Sequence, residues 1–282
     1  MTPAKLLLFG EHTVLHGGEA LAVPLPRFSA RWSRGLAPPH GSPFPAWAAY
    51  AKTADAVPLF LEVDRFAAEA PTLAVESDIP PSYGLGSSGA LTALVYARYR
   101  RADNAPLADI HRHLALLESF FHGRSSGLDP LVCFLNRAVF VRDKIVAHVE
   151  PPSLSPGPGR YFLLDSRQPK AGQLVIARFN ESCREEGFRQ NFLTPALALT
   201  RRLIQGTQAA PTAAWGEDFA ALSALQLAHL DWLIPESVRG PWETWLREGR
   251  AYLKLCGAGG GGYFLGYAPE EGVMAGEEVV WL

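Results

Sequence analysis

Cysteine is scarce: Cys133, Cys183 and Cys256 are too few, odd in number and too far apart for a disulfide framework or a paired metal-ligand motif. That scarcity leads us to expect a reducing, cytoplasmic setting. Long apolar runs are missing too. Leu6-Leu7-Leu8-Phe9 is followed at once by Glu11 and His12, too short a run for a signal-peptide core, and no stretch approaches the length of a membrane span. Nor is there an excess of either charge. Lys plus Arg number 26 against 28 Asp plus Glu, so no broad field advertises nucleic acid or an anionic membrane. What these absences leave is a small-molecule partner, with no nucleic acid and no membrane.

A length of 282 residues with 48% hydrophobic content is enough for two ordinary domains with real cores. Residues 151–160 (PPSLSPGPGR) are too rich in Pro and Gly for the interior of an element, which predicts a linker there and domains over 1–155 and 156–282. In the first half, strands are predicted at Lys5 to Phe9, Ala20 to Val23, Leu59 to Val63 and Leu73 to Glu76, forming one mixed sheet. Residues 34–48 read as a loop or lid, helices are predicted from Ser87 and over 107–121, and 137–149 alternates like a hairpin. The second half predicts a strand at Tyr161 to Leu164, helices over 188–206 and 217–233, a short helix near Pro241, and strands around Leu253 and Phe264. That order is α+β.

Four segments could carry chemistry. Pro80-Pro81-Ser82-Tyr83-Gly84-Leu85-Gly86-Ser87-Ser88-Gly89-Ala90 is a Gly/Ser loop running into a helix. Such a loop lets backbone N–H groups approach a polyanion, and the helix start adds about half a positive charge. A serine hydroxyl there could reach Mg²⁺, although the same serines could simply cap the helix. No Gly-Lys-Ser/Thr follows, so it is not a Walker A loop. In Glu118-Ser-Phe-Phe-His122-Gly123-Arg-Ser-Ser126-Gly127-Leu-Asp129, two carboxylates bracket a tight glycine turn. One could ligate Mg²⁺ and the other take a hydroxyl proton. Their plainer roles are a solvated Glu118 and a helix-capping Asp129.

Lys254-Leu-Cys256-Gly257-Ala258-Gly259-Gly260-Gly261-Gly262-Tyr263 joins two apolar stretches through nearly side-chain-free backbone. It is either a hinge or a place where backbone must come close to something else. Lys5, before the first strand, is either solvated or turned back to stabilise a transferring phosphoryl group. Glu11 and His12, after that strand, could meet substrate. His111 and His113 are two apart and fall on different helix faces, which argues against a metal site, and His122 reads as structural. Arg167 and Lys170, in Asp165-Ser-Arg-Gln-Pro-Lys, could reach an anion across a cleft.

Together and in this order the segments resemble the GHMP kinase superfamily. KLLLFGEHTVLHGG is similar to its first motif in the mevalonate kinase form, PPSYGLGSSGAL to the second, and KLCGAGGGG to the third. HGRSSGLD is similar to the mevalonate kinase HGxPSGxD stretch. The resemblance implies a ribosomal protein S5 domain 2-like N-terminal domain, a ferredoxin-like C-terminal α/β sandwich and an active site in the cleft between them. It implies ATP and Mg²⁺ as cofactors, mevalonate as substrate, phosphorylation of a primary alcohol, and a soluble protein that could pair as a homodimer.

By the same resemblance Asp129 is the catalytic base and Lys5 its partner. Ser82, Tyr83, Gly84, Leu85, Gly86, Ser87 and Ser88 hold the phosphates with Gly257, Gly259 and Gly260. Ser88 and Glu118 take the metal, and Glu11 and His12 the substrate. The other alcohol kinases of the superfamily, acting on phosphomevalonate, homoserine or sugars, are alternatives, as is a non-catalytic nucleotide-binding regulator. Ser125 stands where the family usually has proline, Gly89 where it often has alanine and Tyr263 where a small residue is common. Residues 230–250 lack the expected Gly-Val-Ser pattern, which predicts a different substrate-side wall.

Overall fold

The computed structural model describes residues 1–33, 40–102, 104–153, 159–170, 174–207, 213–270 and 272–282. Strand β1 (Thr2–Phe9) is buried along its whole length, Lys5 included. It pairs antiparallel with β2 (Ala20–Trp32), Leu6 opposite Val23. The far edge of β2 takes β3 (Val75–Ser77) near its end and β4 (Ala138–Arg142) near its start, and β5 (Ile145–Val149) closes a hairpin on β4. Every pairing among the described residues is antiparallel, which corrects the expected mixed sheet.

Six α-helices among the described residues belong to this sheet: α1 (Phe44–Thr53), α2 (Val57–Phe60), α3 (Val63–Glu69), α4 (Ser87–Tyr99), α5 (Leu107–His122) and α6 (Leu128–Leu135). Two expectations fail here. Leu59 to Val63 is no strand. Pro58 presets the dihedral of a first helical turn, Leu59 points to solvent, and Leu61 contributes only an isolated bridge to Arg100. Residues 44–48, read as part of a lid, begin α1, where Pro45 sits in the first turn and Trp47 is fully buried; 34–39 lie outside the described residues.

The second sheet has the order β7-β8-β6-β9, from β6 (Arg160–Asp165), β7 (Tyr252–Leu255), β8 (Tyr263–Ala268) and β9 (Val280–Trp281). Its helices are α7 (Leu174–Ser182), α8 (Glu186–Phe188), α9 (Thr194–Thr207), α10 (Ala213–His229) and α11 (Glu236–Glu248), a π-helical turn at Arg189–Leu193 joining α8 to α9. The short helix expected near Pro241 is thirteen residues long. Proline inside a helix costs about 3 kcal/mol, but Val238, Trp242 and Trp245 recur at helical spacing and are buried. Each tryptophan removes about 150–250 Å² from water, worth roughly 4–6 kcal/mol, so burial wins. Residues 154–158 of the expected linker lie outside the described residues.

Three apolar clusters hold these layers. One lies between the first sheet and its helices, around Trp47, Phe66, Tyr96 and Tyr99. A second lies around Phe162, Phe179, Trp242 and Phe264. The third joins the two sheets, with Leu6, Leu8 and Phe9 of β1 packed against Tyr161, Trp215 and Phe219. Phe9 meets Phe219 edge-on at 5.8 Å. Among the described residues no helix is long and apolar enough to cross a membrane.

Trp47 ties α1 to the helix that carries Glu118, because its indole N–H donates to the Leu117 carbonyl at 3.0 Å. Trp47→Phe should lose about 1–2 kcal/mol, the hydrogen bond and some area, and Trp47→Ala about 3–5 kcal/mol. Urea unfolding of both variants checks this; an Ala variant within 1 kcal/mol of wild type would mean that α1 is dispensable.

Candidate active site

The serine loop covers the outer edge of β1: the Lys5 N–H donates to the Leu85 carbonyl at 3.0 Å. Gly86, at φ 73°, sits over the Lys5 side chain, where a Cβ would lie 2.8 Å from Lys5 Cγ and 3.5 Å from Asp129 Oδ2. Glycine here is a requirement of close approach. Helix α4 then begins at Ser87 with no side-chain cap, so its first N–H groups face the loop. Ser88 does not act as a cap. Its hydroxyl donates to Glu118 Oε1 at 3.0 Å and lies 3.0 Å from His122 Nε2.

Glu118 ends up there because α5 is amphipathic and the residue falls on its buried face, one position after Leu117. Its second oxygen accepts from the Ser125 hydroxyl, supplied by the turn between α5 and α6. Burial, then the nearby Asp129 charge, push this carboxyl up to about 7 against the pull of the two serines and Lys5. Asp129 lies in the first turn of α6, about a third exposed, and its Oδ1 is 3.0 Å from Lys5 Nζ. Burial works to lower the Lys5 ammonium, but Asp129 and smaller contributions from Cys256 and Glu11 outweigh it and hold Lys5 above its ordinary value. Lys5 is therefore a fixed positive charge at neutral pH. Gly89 allows α4 to lie against α6; a Cβ there would come 3.0 Å from Asp129 Cβ.

The glycine run after β7 is explained first by contact between loops. Gly262 is at φ 70°, a Cβ on it would strike Tyr83 Cα at 2.7 Å, and the Tyr263 N–H donates to the Tyr83 carbonyl at 3.2 Å. Gly257 faces Gly84 across the Lys170 side chain. Gly259 and Gly260 turn away, Gly259 onto Leu255 and Leu233, and Gly260 to donate its N–H to the Leu233 carbonyl at 2.8 Å.

Glu11 and His12 are both engaged by the opposite sheet. Glu11 Oε1 is 2.5 Å from Lys254 Nζ with both side chains fully buried, and the His12 ring N–H donates to the Ala258 carbonyl at 3.0 Å while the ring stacks on Phe179. Arg167 pairs with Glu278 on the surface. His111 and His113 diverge as expected, to the Ser126 carbonyl and the Phe60 ring.

The structure thus brings Lys5, Gly84, Gly86, Ser88, Glu118 and Asp129 together at the start of α4. The sequence shows Ser125 only as a departure from proline and Lys254 only as the start of the glycine run, with no role for either. Lysine inside KLCG was the available signal for Lys254, since a charge within an apolar strand must find a partner. No group of three or more metal-ligating side chains occurs among the described residues. A divalent cation held jointly with phosphate still fits, because Glu118 is buried against hydroxyls alone, with no described Lys or Arg in ion-pair contact.

Residues 48–137, which include the end of α1 and all of α2 to α6 with the serine loop, Glu118 and Asp129, match the family described as GHMP kinases N terminal domain. That stretch is similar to a GHMP kinase N-terminal domain. It is also 28% identical to a mevalonate kinase of Aeropyrum pernix over 148 residues, an alignment that spans 46% of this chain and 46% of that relative. Among solved structures, Methanococcus jannaschii mevalonate kinase superposes with a TM-score of 0.62 at 16% identity, covering 94% of this chain and 88% of that one. Lactococcus lactis galactokinase complexed with galactose gives 0.66 at 17%, covering 97% and 86%. At these identities the likeness is one of fold, the expected α+β two-domain GHMP kinase fold, and the fold does not choose the alcohol.

His12 gives the site a measurable pH signature. Burial holds its imidazole down to about 4, against the Ala258 hydrogen bond and with help from Lys170, His16 and Lys254. In the unfolded chain it titrates near 6.5. Between these values the unfolded state binds the extra proton, so stability present above pH 6.5 is lost as pH falls toward 4, by up to about 3 kcal/mol. His12→Asn, which tolerates the left-handed φ of 60°, should remove that component of the slope. Urea midpoints at pH 7 and 4.5 test it; equal slopes in both proteins would show that His12 is not the group responsible.

Proposed function

We propose that the chain is an ATP-dependent kinase that transfers the γ-phosphoryl group to the primary alcohol of mevalonate, giving 5-phosphomevalonate and ADP. The single observation that carries this reading is the Lys5–Asp129 pair at 3.0 Å beside the uncapped start of α4. A carboxylate that is partly exposed and held by a permanent cation is placed to accept a proton from an incoming hydroxyl, and the adjacent N–H groups favour a polyanion. Asp129 takes the alcohol proton as the oxygen attacks phosphorus. Lys5 remains protonated and offsets the charge that spreads over the transferring oxygens. Glu118 and Ser88 would hold Mg²⁺, which would supply charge neutralisation to the transferring phosphate.

In this reading the cleft lies between residues 1–155 and 156–282, in a cytoplasmic enzyme. The phosphates lie over residues 82–88, with Gly257 opposite, and the Glu11–His12 turn forms the alcohol side. Mevalonate is favoured by the first motif, KLLLFGEHTVLHGG, and by the named activity of the Aeropyrum relative. ADP release with mevalonate, phosphomevalonate, homoserine and galactose decides the substrate. Mevalonate should give the highest kcat/KM, and a clear preference for another alcohol would replace it. Asp129→Asn should lower kcat by about 10²–10⁴ with ATP affinity retained. A variant that turns over at the wild-type rate would remove Asp129 from the mechanism.

A further inference from the structure

The segment after β6, Asp165-Ser166-Arg167-Gln168-Pro169-Lys170, is a wedge between the serine loop and the glycine run. On one side the Lys170 N–H donates to the Ser82 carbonyl at 3.0 Å. On the other, the Gly262 N–H donates to the Gln168 carbonyl at 2.7 Å and the Ser166 N–H to the Gly262 carbonyl at 3.0 Å. The wedge delivers the Lys170 ammonium into the seam between the loops, where it fills the space a side chain on Gly84 or Gly257 would need. A Cβ at Gly84 would lie 2.7 Å from Nζ, and one at Gly257 would overlap it.

That ammonium has no hydrogen-bond acceptor and no carboxylate in ion-pair contact among the described residues. The acids near it are already engaged: Asp129 with Lys5, and Glu11 with Lys254. Burial lowers its pKa, and the Lys5 charge adds to that. A half-buried cation held by backbone on both flanks, and left without a counterion, is costly unless an anion arrives.

We propose that Lys170 is a phosphate-binding residue, its ammonium pairing with the polyphosphate of a nucleoside triphosphate laid along residues 82–88. This rests on the kinase reading and deepens it. The ligand is a polyphosphate rather than the substrate's carboxylate because the wedge opens at Gly84, inside the serine loop.

Lys170→Met keeps the length of the side chain and removes the charge. Calorimetric titration of wild type and variant with ATP, inorganic tripolyphosphate, adenosine and mevalonate separates the contributions. Affinity for ATP and tripolyphosphate should fall about tenfold or more, with adenosine and mevalonate unchanged. Without ligand the variant should melt no lower than wild type, since it loses a half-buried cation with no described counterion, and its stabilisation by ATP should shrink. Unchanged ATP affinity, a loss confined to mevalonate, or an equal loss for adenosine with a lower melting temperature would each overturn the proposal. A wild-type chain that binds no ATP would overturn it together with the kinase reading, whereas wild-type binding matched by the variant overturns the Lys170 assignment alone.

Discussion

Lys254 is wholly buried near the end of β7, and the carboxylate it meets, Glu11 at 2.5 Å, lies 243 positions away in the turn after β1. A charge this deep left unpaired would cost about 3–5 kcal/mol, so the two sheets are bound to one relative placement. Lys254 also donates to the Leu255 carbonyl at 2.7 Å, which fixes its head group from the side of the glycine run. One step further, His12 reaches across to Ala258, and Phe9 meets Trp215 and Phe219. A turn, a buried ion pair and an aromatic contact therefore lock the same seam. Lys5 and Asp129 hang from elements of one sheet while the glycine run hangs from the other. A slip of 1 Å in that seam would spoil any in-line transfer between them.

The glycines carry the second constraint. Gly84, Gly86, Gly257 and Gly262 stand where four chain segments cross with no room for side chains, and each has a left-handed φ. Their shared role is to let the serine loop, the 165–170 wedge and the glycine run stack on backbone hydrogen bonds. Rigid loops placed this way keep their N–H groups aimed before any ligand arrives, so the ordering entropy of binding is small.

Local pattern in the sequence revealed those parts whose cause is local. β1, the helices from Ser87 and Leu107, and the 138–149 hairpin follow from periodicity and from glycine or polar stops. The serine loop, Glu118 and Asp129 were visible because they cluster within two short segments. Five features were not. Leu59 to Val63 carries strand-like residues but is short, and packing decided it. α1 was hidden by neighbouring prolines. The partners of Lys254 and the surroundings of Lys170 depend on pairings between distant segments, which single-sequence pattern does not report. Ser125 was noted only as a departure from proline. In the fold it supplies a hydroxyl to Glu118, a contact proline cannot make.

Along the serine loop the charges fall in a row. The Lys170 ammonium lies at Gly84, the Lys5–Asp129 pair at Gly86 and the Glu118 carboxylate at Ser88. The middle position is internally compensated, whereas one end is a cation without a counterion among the described residues and the other a carboxyl pushed up by burial. A simple anion would satisfy the first end and worsen the second, and a simple cation would do the reverse. A ligand that relieves both must carry negative charge near Gly84 and a positive ion near Ser88, with a reacting group between them at Asp129. A metal-bound polyphosphate has that distribution of charge, so the arrangement supports the proposed kinase reading on grounds other than sequence likeness.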